Sequence, residues 1–314
     1  MIILYMKPGY NTIIDGCFGL NNDISYLRDK IVEAVAEGLR RAVTILPPDV
    51  KEALEKAYRK EENEAAKAQL KAILDNVEIA RKTGRPICQD TGLIIYYVKA
   101  GSKFPLLNEL EKLLIEATKK ATKEVPLRPN AVDPFTGRNS GDNTGRYVPF
   151  IHWEIVDGDE LEISVLPKGG GSEAVAVLNM PPPGKGLAGV KETVIEAVLA
   201  AGAKPCPPTI VGIGIGGGAD IATILAKKAS SLRKIGSENP DPKIAELERE
   251  LYEAINELGI GAMGLGGKHS VLAVHIDYAY RHPATYPVAI VFQCWAARRA
   301  FIHIKPDGSY SITQ

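Results

Sequence analysis

Ile24, Leu27, Ile31 and Val35 recur at three- and four-residue spacing, the period of a helix with one buried face. Asn22 or Asp23 offers an N-cap, and Pro47-Pro48 an end. Asp49 is placed to cap a second helix through Leu54 and Tyr58. The stretch Glu61 to Arg81, rich in Ala, Glu and Lys, predicts a third that stops at Gly84. The pattern changes at Leu93-Ile94-Ile95-Tyr96-Tyr97-Val98, which is β-branched and aromatic and predicts a strand, followed by a helix over Leu106 to Lys123. From Val125 to Asn143 no period survives among the Pro, Gly, Asn and Asp residues. A stretch that long without regular structure is more often a functional loop than a connector. Strands are then predicted at Phe150–Val156 and Leu161–Val165, joined by Asp157-Gly158 as a hairpin turn. Further strands fall at Thr209–Ile215, Val271–Tyr278, Val288–Phe292 and Phe301–Ile304. Helices fall at Val190–Ala201, from Gly217 or Gly218 through Lys228, and at Asp241–Leu258. The pattern is that of an α/β chain: a helical N-terminal third, about 22–83, then mixed β-sheets flanked by helices over 84–314. No internal repeat or linker divides it, so one domain over 1–314 is expected.

Composition narrows the classes. The 314 residues are 45% hydrophobic and 24% charged, a globular balance rather than a disordered one. Thirty-eight Lys and Arg balance 38 Asp and Glu, so no global basic field for nucleic acid exists. No apolar run approaches the ~18 residues of a membrane span, and Met1 to Met6 lacks the basic start of a secretory leader. A cytoplasmic chain with reduced thiols is the expectation.

Several motifs compete for the chemistry. Gly212-Ile213-Gly214-Ile215-Gly216-Gly217 contains GxGxxG between a strand and a helix. A dinucleotide site needs a further strand ending in an acid about 20 residues on, and the chain offers Ser237 to Pro242 there instead. Close backbone approach to another element or a ligand fits better. Lys168-Gly169-Gly170-Gly171-Ser172 has Lys and Gly in the wrong order for a P-loop but could line an anion nest with amides. His275 alternates with Ala273 and Asp277, as on a solvated strand face. His269 and His303 have no special context, and His282 sits in an Arg281-His282-Pro283 turn. Of the four cysteines, Cys88, Cys206 and Cys294 each fall at a predicted strand end or turn, whereas Cys17 does not. Four small buried residues is the plain reading of spacing alone. Three thiolates from distant loops also suit an iron–sulfur cube with one iron left open, where an electron-transfer cube would want four.

Together these segments resemble the iron–sulfur class of fumarases and the related L(+)-tartrate dehydratases, specifically their cluster-bearing module, an α subunit in many members. The resemblance rests on Cys88-Gln89-Asp90-Thr91-Gly92, Arg128-Pro129-Asn130, Asn143-Thr144-Gly145, Lys168 to Glu173, Cys206-Pro207-Pro208, Gly212 to Gly217, Gly264-Leu265-Gly266-Gly267, and His282-Pro283 ahead of Cys294. It implies a [4Fe–4S] cluster on Cys88, Cys206 and Cys294, with the open iron binding substrate. It implies substrate-carboxylate contacts from Gln89, Arg128 and the Gly171 amide, and catalytic roles for Asp90 and His282 beside the leaving hydroxyl. It also implies that the base and further anion-binding residues lie on a β subunit carrying the C-terminal module, in an α2β2 assembly acting on a dicarboxylate. Malate and fumarate are preferred here over tartrate, because nothing in the sequence argues for a second hydroxyl site. A non-enzymatic iron–sulfur redox or sensor protein and a nicotinamide-dependent oxidoreductase are the rival readings.

Overall fold

The computed structural model describes residues 15–314 apart from Pro126, with side chains described from residue 24 onward. In chain order the elements are α1 (Asp15–Thr44), α2 (Pro48–Lys60), α3 (Glu64–Thr83), β1 (Leu93–Gly101), α4 (Leu110–Glu124), β2 (Phe150–Val156), β3 (Leu161–Lys168), α5 (Gly170–Glu173), β4 (Val177–Asn179), α6 (Gly186–Ala201), β5 (Thr209–Gly217), α7 (Ala219–Leu232), α8 (Pro242–Glu257), β6 (Val271–Arg281), β7 (Val288–Gln293), β8 (Ala300–Ile304) and β9 (Tyr310–Thr313). The expected α/β class with a helical N-terminal third is what forms. The largest boundary shift is at α1, which continues back to Asp15, through Asn22 and Asp23. The cap-competent run there, like Gly16 and Gly19 before it, lowers helix propensity without ending the helix. Gly84 does stop α3, in the left-handed region at φ 67°.

Two sheets form, ordered β2-β1-β3-β8-β9 and β4-β7-β5-β6. The expected hairpin of β2 and β3 does not exist, because both pair with β1, parallel and antiparallel respectively. The Asp157-Gly158 turn arches over the end of β1 instead, where the Gly158 carbonyl accepts the Lys103 N–H at 2.9 Å. The apolar β1 thereby takes an interior place, with Tyr96 fully buried between the sheet and α4. A first core joins α1, α4 and this sheet, and a second joins α6 and α8 to the other sheet. A third lies under α2 and α3 and contains Ile87, Ile210, Ala296 and Ala297, the residues that flank the cysteine loops.

The glycine run of β5 is a packing surface. A Cβ on Gly214 would stand 1.9 Å from the Ala222 carbonyl oxygen of α7, and one on Gly212 2.1 Å from that of Ala226. Helix α7 therefore sits directly on the strand, the close backbone approach to another element that these glycines allow. Asp49 is also reassigned. Instead of capping α2 it is buried, and its Oδ2 accepts from Arg299 Nη2 at 2.6 Å and from the Ile235 N–H at 2.8 Å.

His275 is not on a solvated face. It is 2% exposed, and its Nδ1–H donates to the Ala229 carbonyl at 3.0 Å. Burial, helped by the Arg233 charge, holds its pKa down at about 4 against an ordinary 6.5. Between those two values the unfolded chain binds a proton that the folded chain refuses, so stability falls as pH drops from 6.5 towards 4. The loss should approach ~3 kcal/mol. Denaturant unfolding of wild type and His275→Gln at pH 7.5 and 4.5 checks this: the variant should lack that share of the acid loss. Equal acid sensitivity would count against it.

Candidate active site

The three strand-end cysteines are held by one scaffold. Cys88 lies in the loop from α3 to β1, pinned by the Ile87 N–H to the Val43 carbonyl at 2.8 Å and by Asn76 Nδ2 to the Ile87 carbonyl at 2.8 Å. Cys206 precedes β5 in the left-handed region at φ 55°, and its carbonyl accepts the Trp295 N–H, the residue after Cys294, at 3.2 Å. The Met263 N–H donates to the Pro207 carbonyl at 2.8 Å, so the glycine-rich 259–267 loop buttresses the same turn. Buried Glu61, in turn, accepts the Lys268 N–H and pairs with His269 at 2.9 Å, tying that loop to the end of α2.

All three thiols are free and half-buried. Burial pushes the Cys206 thiol up, and the nearby Cys294 and Cys88 charges push it further. Burial also raises Cys294, against Arg298, the Ala296 N–H donated to it, and Lys168. Among the described residues no three His, Cys, Asp or Glu side chains could share a single metal ion. An iron–sulfur cube makes a different demand, since each thiolate binds its own iron. Three thiols on loops tied together by the Trp295 N–H to the Cys206 carbonyl and by Arg298 to the carbonyl of Asp90 fit that donor set. The Cys17 side chain lies outside those described.

Asp90 stands two residues from Cys88 and ties three loops. Its Oδ2 accepts the Gly170 N–H at 2.7 Å and its Oδ1 the Gly92 N–H at 2.9 Å, while its carbonyl accepts Arg298 Nη1 at 2.6 Å. A Cβ on Gly169 would stand 3.2 Å from Asp90 Oδ2 and 3.4 Å from Arg298 Nη2, so glycine lets the two chains close on each other. Gly171, exposed on the short α5, faces the Lys204 carbonyl two residues from Cys206. Gln89 is exposed beside Asp90.

An open cavity of about 1030 Å³ includes this point, lined by Asp90, Arg128, Asn130, Lys168 and Gly170, by apolar Leu93 and Ile95 of β1, and by a mostly polar face of α7. The aperiodic segment supplies Arg128. Its backbone carbonyl accepts from Thr91 Oγ1 and from Asn143 Nδ2, both at 3.2 Å. Its side chain is exposed and makes no ion pair among the described residues. Asn143, wholly buried at φ 60°, also accepts the Asn130 N–H at 2.6 Å.

His282 is not brought to this place. Because β6 runs parallel to β5, with Arg281 opposite Gly217, its C-terminal end emerges across the sheet from Cys206 and Cys294. The length of β5, roughly 26 Å, separates those ends. His282 is exposed there, its Nδ1 accepting the Ala284 N–H at 3.1 Å. Sequence reasoning, in turn, gave no role to Asn143, Glu61 or Arg298. The available signals were the Asn143-Thr144-Gly145 motif and a pair of arginines four and five residues past Cys294.

Comparison with known proteins adds an independent finding. A family model described as fumarate hydratase (fumerase) matches residues 32–303. A protein of Methanocaldococcus jannaschii provisionally named L(+)-tartrate dehydratase subunit alpha is 51% identical over 284 residues, 89% of this chain and 99% of that one. The L(+)-tartrate dehydratase subunit alpha of Escherichia coli strain K12 is 42% identical over 283 residues, covering 90% of this chain and 93% of the relative. The Shigella sonnei protein of the same name matches to the same extent.

Proposed function

This chain belongs to the fumarate hydratase family, and we propose that it is the cluster-holding alpha subunit of a hydro-lyase whose substrate is L(+)-tartrate. Tartrate replaces the malate favoured from sequence alone, because the relatives matched over nearly their whole length carry the tartrate dehydratase name. The observation that supports the site is the tie between its loops: the Trp295 N–H, next to Cys294, bonds the Cys206 carbonyl, and Arg298 bonds the carbonyl of Asp90, two residues past Cys88, while Asp90 lines a cavity with Arg128.

In this reading the three thiolates hold a [4Fe–4S] cluster. When bound it would supply a Lewis-acidic iron that eases the departure of hydroxide. Arg128 offers a planar two-donor fork to a substrate carboxylate, and its anchored backbone fixes where that fork starts. Gln89 and the Gly171 N–H are the further polar contacts for the substrate. Asp90 is the acid–base group beside the leaving oxygen, its carboxylate held in orientation by the Gly92 and Gly170 amides. His282, at the far end of the second sheet, has no part in this within one chain. The group that removes the carbon-bound proton is proposed to lie on a beta subunit, which is why the relatives' alpha-subunit names matter here.

Anaerobic co-expression with the adjacent beta-type chain, then assay on L(+)-tartrate and malate, tests the proposal. The pair should dehydrate tartrate with the higher kcat/KM, and this chain alone should turn over neither. A preference for malate would return the substrate to the fumarate reading. A cluster-loaded pair inactive on both would defeat the hydro-lyase assignment.

A further inference from the structure

Arg298 is 3% exposed, yet it has no carboxylate partner among the described residues. Its neighbour Arg299 pairs with Asp49 at 2.6 Å, and Arg233 is matched to Glu248. Arg298 spends Nη1 on the Asp90 main-chain carbonyl, and its Nε finds no hydrogen-bond partner. Lys168, 2% exposed, is little better supplied. Its Nζ donates to Ser172 Oγ at 2.6 Å and lies 3.4 Å from Glu173 Oε2, but Glu173 is shared with Lys227. Three cations, Arg298, Lys168 and Lys227, thus crowd two carboxylates, Asp90 and Glu173. Leaving a buried cation under-matched is strongly unfavourable, so a further negative charge is missing from this corner.

We propose that Arg298, with Lys168 beside it, is the built-in counter-charge of the group held by Cys88, Cys206 and Cys294. It is a positioning residue that secures the cluster and sets its reduction potential. The inference rests on the cluster reading above. A cube on three thiolates carries net negative charge, and nearby cations and hydrogen bonds are among the levers that fix both retention and potential. The position agrees: Arg298 Nη1 bonds the carbonyl of Asp90, two residues past Cys88, and Arg298 itself is four residues past Cys294.

The test uses the assembled protein, reconstituted anaerobically as wild type, Arg298→Met and Arg298→Lys. Iron and sulfide content, the rate of iron loss to a chelator, and the midpoint potential from an EPR-monitored titration are read for each. Arg298→Met should lose iron about 10- to 100-fold faster than wild type and titrate at a lower potential, while Arg298→Lys restores most of both. The cluster-free Met variant should melt close to cluster-free wild type, since the lost bond to the Asp90 carbonyl is offset by removal of a buried charge that had no counter-ion. Wild-type retention and potential in Arg298→Met would overturn the proposal. So would a drop in its cluster-free melting temperature that Arg298→Lys shares, which would make Arg298 a structural arginine. Absence of iron from all three proteins, wild type included, would instead defeat the cluster reading beneath it.

Discussion

Cys206→Ser should leave the assembled protein without a cluster and without measurable turnover, while its fold persists. The expectation follows from what the residue does and does not do. Its backbone is held by the turn itself: its N–H donates to the Ala203 carbonyl at 3.0 Å, and its carbonyl accepts the Trp295 N–H at 3.2 Å. Serine keeps both bonds. Only the sulfur is lost, a soft donor for which a hydroxyl is a poor replacement on iron. Wild type should carry about four irons per chain after anaerobic reconstitution, and Cys88→Ser and Cys294→Ser should fail in the same way as Cys206→Ser. Cys17→Ser should load normally. Iron analysis with circular dichroism separates the outcomes: a full cluster in Cys206→Ser would remove that residue from the ligand set, and a lost fold would make its role structural.

Arg128→Lys should cut kcat/KM by about thirty- to a thousandfold on the assembled enzyme at matched iron content. Lysine keeps the charge but not the planar two-point fork. Stability should hardly change, because the Arg128 side chain is exposed and makes no ion pair among the described residues. What the protein fixes is the backbone, through Thr91 and Asn143 on the same carbonyl. An arginine so anchored at its root, with its side chain exposed on a cavity that Asp90 also lines, is poised for a ligand from outside the chain. Asn143→Ala, by loosening that root, should also lower kcat/KM. Unchanged kinetics in Arg128→Lys would make it a solvated surface charge.

The elements that set these residues in place were legible wherever a local rule decided them. The 3.6-residue period marked α1, helix-forming composition marked α3 and Gly84 its stop; punctuation at strand ends singled out Cys88, Cys206 and Cys294. The absence of a second acid-ending strand argued correctly for the β5 glycines as packing, which α7 now fills. Long-range pairing was illegible. Asp157-Gly158 has the chemistry of a hairpin turn, and nothing local says that β1 lies between the strands it joins. Asp49 looks like a cap until Arg299, 250 residues away, claims it. His275 alternates like an exposed residue because alternation cannot show that α7 covers that face. His282 was assigned by resemblance, and a resemblance carries no register; parallel pairing of β5 and β6 sends it to the opposite end. Arg298 left the faintest trace, since a missing counter-charge is visible only when its surroundings are.

The central claim is that Cys88, Cys206 and Cys294 hold a cluster that meets the substrate, rather than one that only carries electrons. Mössbauer spectra of the iron-57-reconstituted assembly, recorded with and without L(+)-tartrate, test it most directly. One iron environment of the cluster should change on addition of tartrate while the others stay as they were. Spectra identical in the presence and absence of substrate, on a fully loaded protein, would contradict the account and leave a redox or sensor cluster in its place.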